Sequence, residues 1–276
     1  MLTIHASKQD TITLDNKEFF FLAGILGSDR LLGVEDPFLG YLSEDIAEEW
    51  ETVRASLINK GYLIQEENEI ELAMPPKVFS RVAIAGLAKR SCWLKYSQGN
   101  EQFEGYFHVT NERVVQVCRS DDENLIYRLD ELGDVEEACS RLVEEMNFKN
   151  YSPAEVPALL LSKKKFGELF SQSPEMNIDT LSDELAAVTN DPEGSVALAR
   201  CMKYRSTEGE LRLSTWNGSG WETQNAAFIV NDSMNWLVRM SMSGEQDWLT
   251  ASPASKKQFQ EMLLLWLKQT AESDGR

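Results

Sequence analysis

The sequence has little of what catalytic and metal sites are commonly built from. It holds two histidines, His5 and His108, and four cysteines, Cys92, Cys118, Cys139 and Cys201, in 276 residues. The cysteines stand far apart, with no CxxC pair and no dense disulfide frame. They read as free thiols of a reducing cytoplasm, used as small apolar core residues. No cluster of His, Cys and Asp has ligand spacing, which argues against a structural zinc site. No apolar stretch approaches the roughly 20 residues that a membrane-spanning helix needs. Phe19–Leu26 and Met262–Leu267 have the length of buried helix segments. Met1–Asp15 lacks a basic segment followed by an apolar one, so no targeting signal is expected there. Positive charge is scarce as well. The 27 basic residues face 45 acidic ones, for a formal charge of -18 and a pI of about 4.6. That balance opposes nucleic acid and anionic membrane surfaces. Basic proteins, neutral protein surfaces and small molecules remain.

What is present is a foldable chain. Hydrophobic residues make up 42% of it, enough for a substantial core. The length suits two domains or one two-part body. Asp15 or Asn16 caps an expected helix from Asn16 to Leu26, and Gly27 stops it. The following Leu31–Phe38 is too apolar for a plain linker and is expected to dock onto the core. Ser43 is the expected cap of a second helix, Glu44–Lys60, with Ile46, Trp50, Val53, Leu57 and Ile58 facing inward. Tyr62–Ile64 and Glu69–Leu72 read as a small hairpin. Two helices and a hairpin make a winged-helix-like N-terminal segment. The second helix carries Glu44, Asp45, Glu48, Glu49 and Glu51, which repel phosphates, so a DNA role is rejected.

After Pro75-Pro76 comes an expected helix, Lys77–Lys89, and then a period of two. Strands are expected at Cys92–Ser97, Phe103–Val109, Val114–Arg119 and Leu125–Leu129, closed by a helix at Asp134–Met146. Helices at Pro157–Ser171 and Asp179–Thr189 lead into a second alternating block. Its strands are expected at Val196–Arg205, Glu210–Trp216, Trp221–Val230 and Met234–Met240, with a short one at Gln246–Leu249. A last helix covers Pro253–Gln269 and a loose tail ends at Ser273–Arg276. The fold class is therefore α+β: pseudo-duplicated antiparallel β-meanders flanked by helices. The two halves are residues 1–150 and 151–276. The first carries a net charge of -13 and the second -5.

Catalytic patterns fail one by one. His108 lies on the opposite parity from Phe107 and Val109, so it is expected on a solvated or interfacial face. Gly218-Ser219-Gly220 lacks the lysine and following helix of a phosphate loop and suits a hairpin turn. Asp121-Asp122-Glu123 lacks the calcium-loop pattern. No catalytic residue, cofactor or metal is assigned. Aromatic residues carry more information. Trp216, Trp221, Trp236 and Trp248 fall in or beside the second meander, with Trp216 and Trp221 flanking one turn. Tryptophan is enriched at protein-binding hot spots. The candidate partner-binding residues are Trp216, Trp221, Arg212 and Arg239 on the second sheet. Glu48 and Glu49 on the acidic helix are the candidates for steering a basic partner.

Several runs resemble the EspG family, the cytoplasmic chaperones of type VII (ESX) secretion, or its relatives in other Gram-positive bacteria. They are Phe19–Gly27, Leu32–Phe38, the Trp50 helix, Ser56–Leu63 and Tyr106–Val115. The likeness runs through nearly the whole chain as an order of elements. It implies a non-catalytic cytoplasmic chaperone or adaptor that binds a helical secretion substrate and keeps it soluble. Typical members recognise the exposed hydrophobic tip of a helical-hairpin heterodimer. This chain departs from the family in being more acidic. Its lack of an ATP motif leaves binding and handover as the whole cycle. The alternatives are an acidic immunity protein that neutralises a basic toxin, a scaffold or regulatory protein, and an enzyme with a dispersed site. No feature sets an oligomeric state.

Overall fold

The computed structural model describes residues 11–28, 30–65, 72–121, 125–151, 155–243 and 246–269. His5, Asp122-Glu123, most of the expected Glu69–Leu72 strand and the Ser273–Arg276 tail lie outside the described residues. In chain order the elements are β1 (Ile12–Leu14), α1 (Asn16–Ile25), α2 (Ser43–Asn59), β2 (Ile64–Gln65), β3 (Leu72–Ala73) and α3 (Pro76–Leu87). Then come β4 (Arg90–Gln98), β5 (Glu101–Val109), β6 (Val114–Asp121), β7 (Ile126–Gly133) and α4 (Val135–Glu145). The rest are β8 (Leu159–Ser162), α5 (Lys163–Gln172), α6 (Ile178–Thr189), α7 (Pro192–Lys203), β9 (Thr207–Trp216), β10 (Trp221–Val230), β11 (Asn235–Ser243), β12 (Gln246–Pro253) and α8 (Lys256–Lys268). The fold is α+β, with an antiparallel sheet of ten strands flanked by helices. The strand order is β1-β7-β6-β5-β4-β9-β10-β11-β12-β8, and β2 pairs with β3 separately. The chain divides into two compact units. One holds Thr3–Cys92 and Glu104–Val135, the other Trp93–Phe103 and Glu136–Arg276.

In the first of these units, local chemistry sets the helix starts. Asp15 accepts the Glu18 amide at 2.9 Å while the Glu18 carboxylate accepts the Asp15 amide at 2.9 Å. This reciprocal box satisfies two of the donors that a helix start leaves open. Pro76 occupies the first turn of α3, where its missing N–H costs no bond. Phe19, Leu22 and Ala23 of α1 pack with Val53 and Leu57 of α2, Val78 and Val82 of α3, and Val115, Val117, Tyr127 and Leu129 of the sheet. The Leu31–Phe38 loop docks as expected: Leu31 and Val34 pack on this core and Phe38 is buried. Gly33 has a φ of 81°, and a β-carbon there would collide with the Tyr106 ring.

The other unit is built in three layers. β8 to β12 carry α5, α6 and α7 on one face, where Leu169, Leu181, Leu185, Leu198 and Met202 pack against Ile229, Trp236, Val238 and Leu249. On the opposite face Phe148 stacks on Phe259 of α8 at 4.0 Å and touches Phe228 of β10 at 5.4 Å. α4 and α8 meet there through Gln260, which donates to Ser140 at 2.9 Å, and through the Lys268–Glu136 ion pair.

Several expectations need correction. Val196–Arg205 is not a strand but most of α7. Asp191 caps it by accepting the Gly194 amide at 2.7 Å, Pro192 opens it, and Leu198, Ala199, Cys201 and Met202 face the core at helical spacing. Pro157–Ser171 is not one helix. Leu159–Ser162 pairs with β12, and the helix starts only after Ser162, whose hydroxyl accepts the Lys165 amide at 3.3 Å. The last helix likewise begins at Lys256, because Gln246–Pro253 is a full strand beside β11. Ser43 lies inside α2 with Leu42 as its cap position, and Asp45 accepts the Leu42 amide at 3.2 Å. His108 is buried at 2% exposure, not solvated, because both faces of β5 are covered at that point.

Candidate functional site

Among the described residues no group of three or more His, Cys, Asp or Glu is placed to hold a metal ion. All four cysteines are buried free thiols, and burial pushes Cys139 and Cys201 up to about 12, far from a reactive thiolate. Burial pushes His108 down to about 4. Its ring stacks on Tyr106, and its Nε2 has no hydrogen-bond partner among the described residues. No helix among the described residues is long and apolar enough to cross a membrane.

The register of the second meander assembles a different kind of site. Trp216 pairs with Trp221, Ser214 with Thr223, Arg212 with Asn225 and Glu210 with Ala227. Alternate residues of a strand share a face, and directly paired residues share it across strands. This face therefore continues onto Val238 and Met240 of β11 and Leu249 of β12. It is the face that α5, α6 and α7 cover at their end of the strands. Beyond α5 the cover stops. An open groove of about 440 Å³ remains, floored by Ala227, Val238, Met240 and Leu249 and walled by Phe166 and Phe170. The two wall rings stack 5.7 Å apart, and Met240 is 40% exposed. Lys95, Gln102, Lys163, Glu208 and Glu210 supply a polar rim of mixed charge. Arg205 caps the wall: its guanidinium lies 4.5 Å over the Phe170 ring and is tied to Glu208.

An aromatic strip leads away from the groove on the same face. The Arg212 guanidinium lies 4.9 Å from the Trp93 ring centre and its Nε donates to Asn225 at 3.3 Å. Trp216 and Trp221 meet edge to face, with centroids 5.5 Å apart. Both are half-buried, and Arg212 is exposed. Arg239 is exposed as well, yet it pairs with Ala226 and Thr250 and so belongs to the opposite face. The structure thus brings three of the four sheet candidates together and separates the fourth. Glu48 is exposed on α2 of the other unit, and neighbouring Glu49 pairs with Lys17 at 2.7 Å. Trp93, Phe166, Phe170 and Met240 were not singled out from the sequence. The Phe166-to-Phe170 spacing, one helical turn apart, is the signal that could have found the wall.

No protein-family model matches the chain, and no curated protein matches it. Solved structures do. One is the Mycobacterium tuberculosis type VII secretion system chaperone EspG5, determined in complex with a PE25–PPE41 dimer. Its likeness spans 94% of this chain and 94% of that one, with a TM-score of 0.60 and 12% sequence identity. The chain is similar in fold to this chaperone along nearly its whole length.

Proposed function

We propose that this protein is a non-catalytic cytoplasmic chaperone or adaptor that binds a helical secreted protein and keeps it soluble until handover. The observation that carries the reading is the fold likeness along 94% of both chains to a type VII secretion chaperone solved with its bound dimer. The groove gives that likeness a physical use. Its apolar floor and aromatic walls suit apolar side chains at a helix tip, and its mixed rim orients them. Trp93, Trp216 and Trp221 extend the contact with rigid, half-buried rings of the kind that dominate binding energy, and the exposed Arg212 lies among them. In the same reading the two helix–meander–helix halves are a pseudo-duplication, and the winged-helix-like start is a scaffold.

The test is co-expression with small helical secretion substrates, read by co-purification and size-exclusion chromatography. The wild type is expected to hold such a substrate in solution. Met240→Asp places a charge on the groove floor and should abolish the complex, while Trp221→Ala should weaken it about tenfold. Circular dichroism spectra should stay close to wild type and a single cooperative melting transition should be retained. A wild type that binds no helical substrate, or a Met240→Asp variant that binds as well as wild type, would overturn the reading.

A further inference from the structure

The α1–α2 region holds a second apolar opening. Phe20, Phe21, Gly24 and Ile25 of α1, Phe38 of the following loop, and Ile46 and Trp50 of α2 line a cleft of about 480 Å³ with Asp36 at its edge. Its floor is a chain of ring contacts. Phe38 lies 5.7 Å from Phe20, 4.9 Å from Phe21 and 5.7 Å from Tyr41, and Phe21 lies 5.0 Å from Trp50. Gly24 leaves the cleft open, since a β-carbon added there would meet nothing within 4 Å. Apolar side chains at the cleft and next to its lining residues in the chain stand out. Leu39 is 86% exposed, Leu42 68% and Ile25 52%. Leu39 is held out by a tight turn in which the Tyr41 amide donates to the Phe38 carbonyl at 2.9 Å, with Gly40 at a φ of 88°.

Beside this cleft lies a hollow of opposite character, about 600 Å³, lined by Gly40, Tyr41, Asp45, Glu48, Glu49 and Thr52. The Phe38–Tyr41 ring contact joins the two. Glu44 and Glu48 are exposed on α2 and have no ion-pair partner among the described residues. An apolar slot joined to an acidic hollow, in which Glu48 has no ion-pair partner among the described residues, is complementary to one kind of ligand surface. That surface is an amphipathic helix with apolar anchors on one face and lysine or arginine beside them.

We propose that the cleft between α1 and α2 is a docking surface for a basic amphipathic helix of a partner protein. Apolar anchors enter among Phe20, Phe38 and Trp50. Leu39 and Leu42 cover their flank, and Glu44 and Glu48 meet the flanking cations. This surface is independent of the groove on the β9–β12 sheet and does not rest on the secretion reading.

The test uses labelled synthetic helices of about 18 residues, one with leucines at helical spacing among lysines, the other with the same leucines among glutamates. Fluorescence anisotropy measures their binding to the full chain. The lysine peptide is expected to bind and the glutamate peptide not. The double variant Leu39→Ser/Leu42→Ser changes only exposed side chains and should weaken binding at least about tenfold. Gly24→Leu plugs the cleft while improving helix propensity and should do the same. Glu44→Gln/Glu48→Gln should lower affinity and flatten its salt dependence. Met240→Asp should leave peptide binding unchanged, and Gly24→Leu should leave binding of a helical secreted substrate unchanged. Three outcomes would overturn the proposal: no binding of the lysine peptide, binding untouched by the Leu39/Leu42 and Gly24 variants, or binding lost through Met240→Asp. The second would mean that the net charge alone attracts the peptide.

Discussion

Trp216 and Trp221 occupy directly paired positions at the β9–β10 turn and meet edge to face at an interplanar angle of 66°. The pair closes the hairpin while leaving part of each ring uncovered. Removing either ring should cost about 1–2 kcal/mol in urea unfolding with a single cooperative transition retained. In a double-mutant cycle the two alanine variants should couple by about 0.5–1.5 kcal/mol. Strict additivity would show that the rings contribute nothing to each other.

Glu18 is a fully buried carboxylate with its acceptors occupied. It accepts from Ser56 Oγ at 2.8 Å, Lys60 Nζ at 2.6 Å and the Asp15 amide at 2.9 Å. It thereby ties the start of α1 to the end of α2. Glu18→Ala leaves a hydroxyl and an amide without partners and should destabilise by about 3 kcal/mol. Lys60→Met should cost about 2 kcal/mol, since it leaves the buried carboxylate without its countercharge while two hydrogen bonds to it survive. Urea midpoints of the two variants should rank in that order.

His108 and Glu145 make opposite demands on pH. Burial holds the His108 imidazole down at about 4. The unfolded chain therefore takes up its proton first, and stability falls as pH drops from about 6.5 toward 4, by up to about 3 kcal/mol. Burial raises Glu145 to about 7, and its Oε2 has no partner among the described residues. Its contribution is present below about 4.5 and is lost as pH rises toward 7. His108→Phe should remove the acid-side loss, and Glu145→Gln should remove the loss near neutrality. Stability measured against pH for each variant and the wild type checks both signs.

Gly209 sits on β9 where no β-carbon fits. One placed there would lie 2.6 Å from the Lys95 carbonyl and 2.6 Å from the Phe228 ring. Backbone cannot yield as a flexible side chain can. Gly209→Ala should cost about 2–3 kcal/mol and disturb the neighbouring groove. By contrast Gly167, on the helical wall of the groove, faces open space. Gly167→Ala should stabilise by about 0.5–1 kcal/mol through helix propensity alone. Thermal melts of the pair should move in opposite directions.

Signals made by near neighbours in the chain were legible. Asp15 and Glu18 box the start of α1, Pro76 opens α3, and the Trp216–Trp221 turn pairs as its spacing suggests. The stretches that misled carry a pattern compatible with two structures. Val196–Arg205 alternates well enough for a strand, but its Asp191 cap and helical face toward the β10–β11 core make it α7. Leu159–Leu161 looks like a helix start until β12 offers it hydrogen bonds. His108 alternates with Phe107 and Val109, yet all three are buried. Period two says which residues share a face, not what covers that face.

Composition by itself determined the charge of -18, the core-forming fraction and the poverty of metal and nucleophile chemistry. Local caps and turns determined the start of α1 and the β9–β10 turn, because their hydrogen bonds close within a few residues. The groove was decided only by tertiary structure. Phe166 and Phe170 come from a helix, Met240 and Leu249 from two strands, and Lys95 from a strand more than a hundred positions away in the chain from β11. No local signal couples them. Strand order and register bring them together, and the point where α5 ends leaves them uncovered.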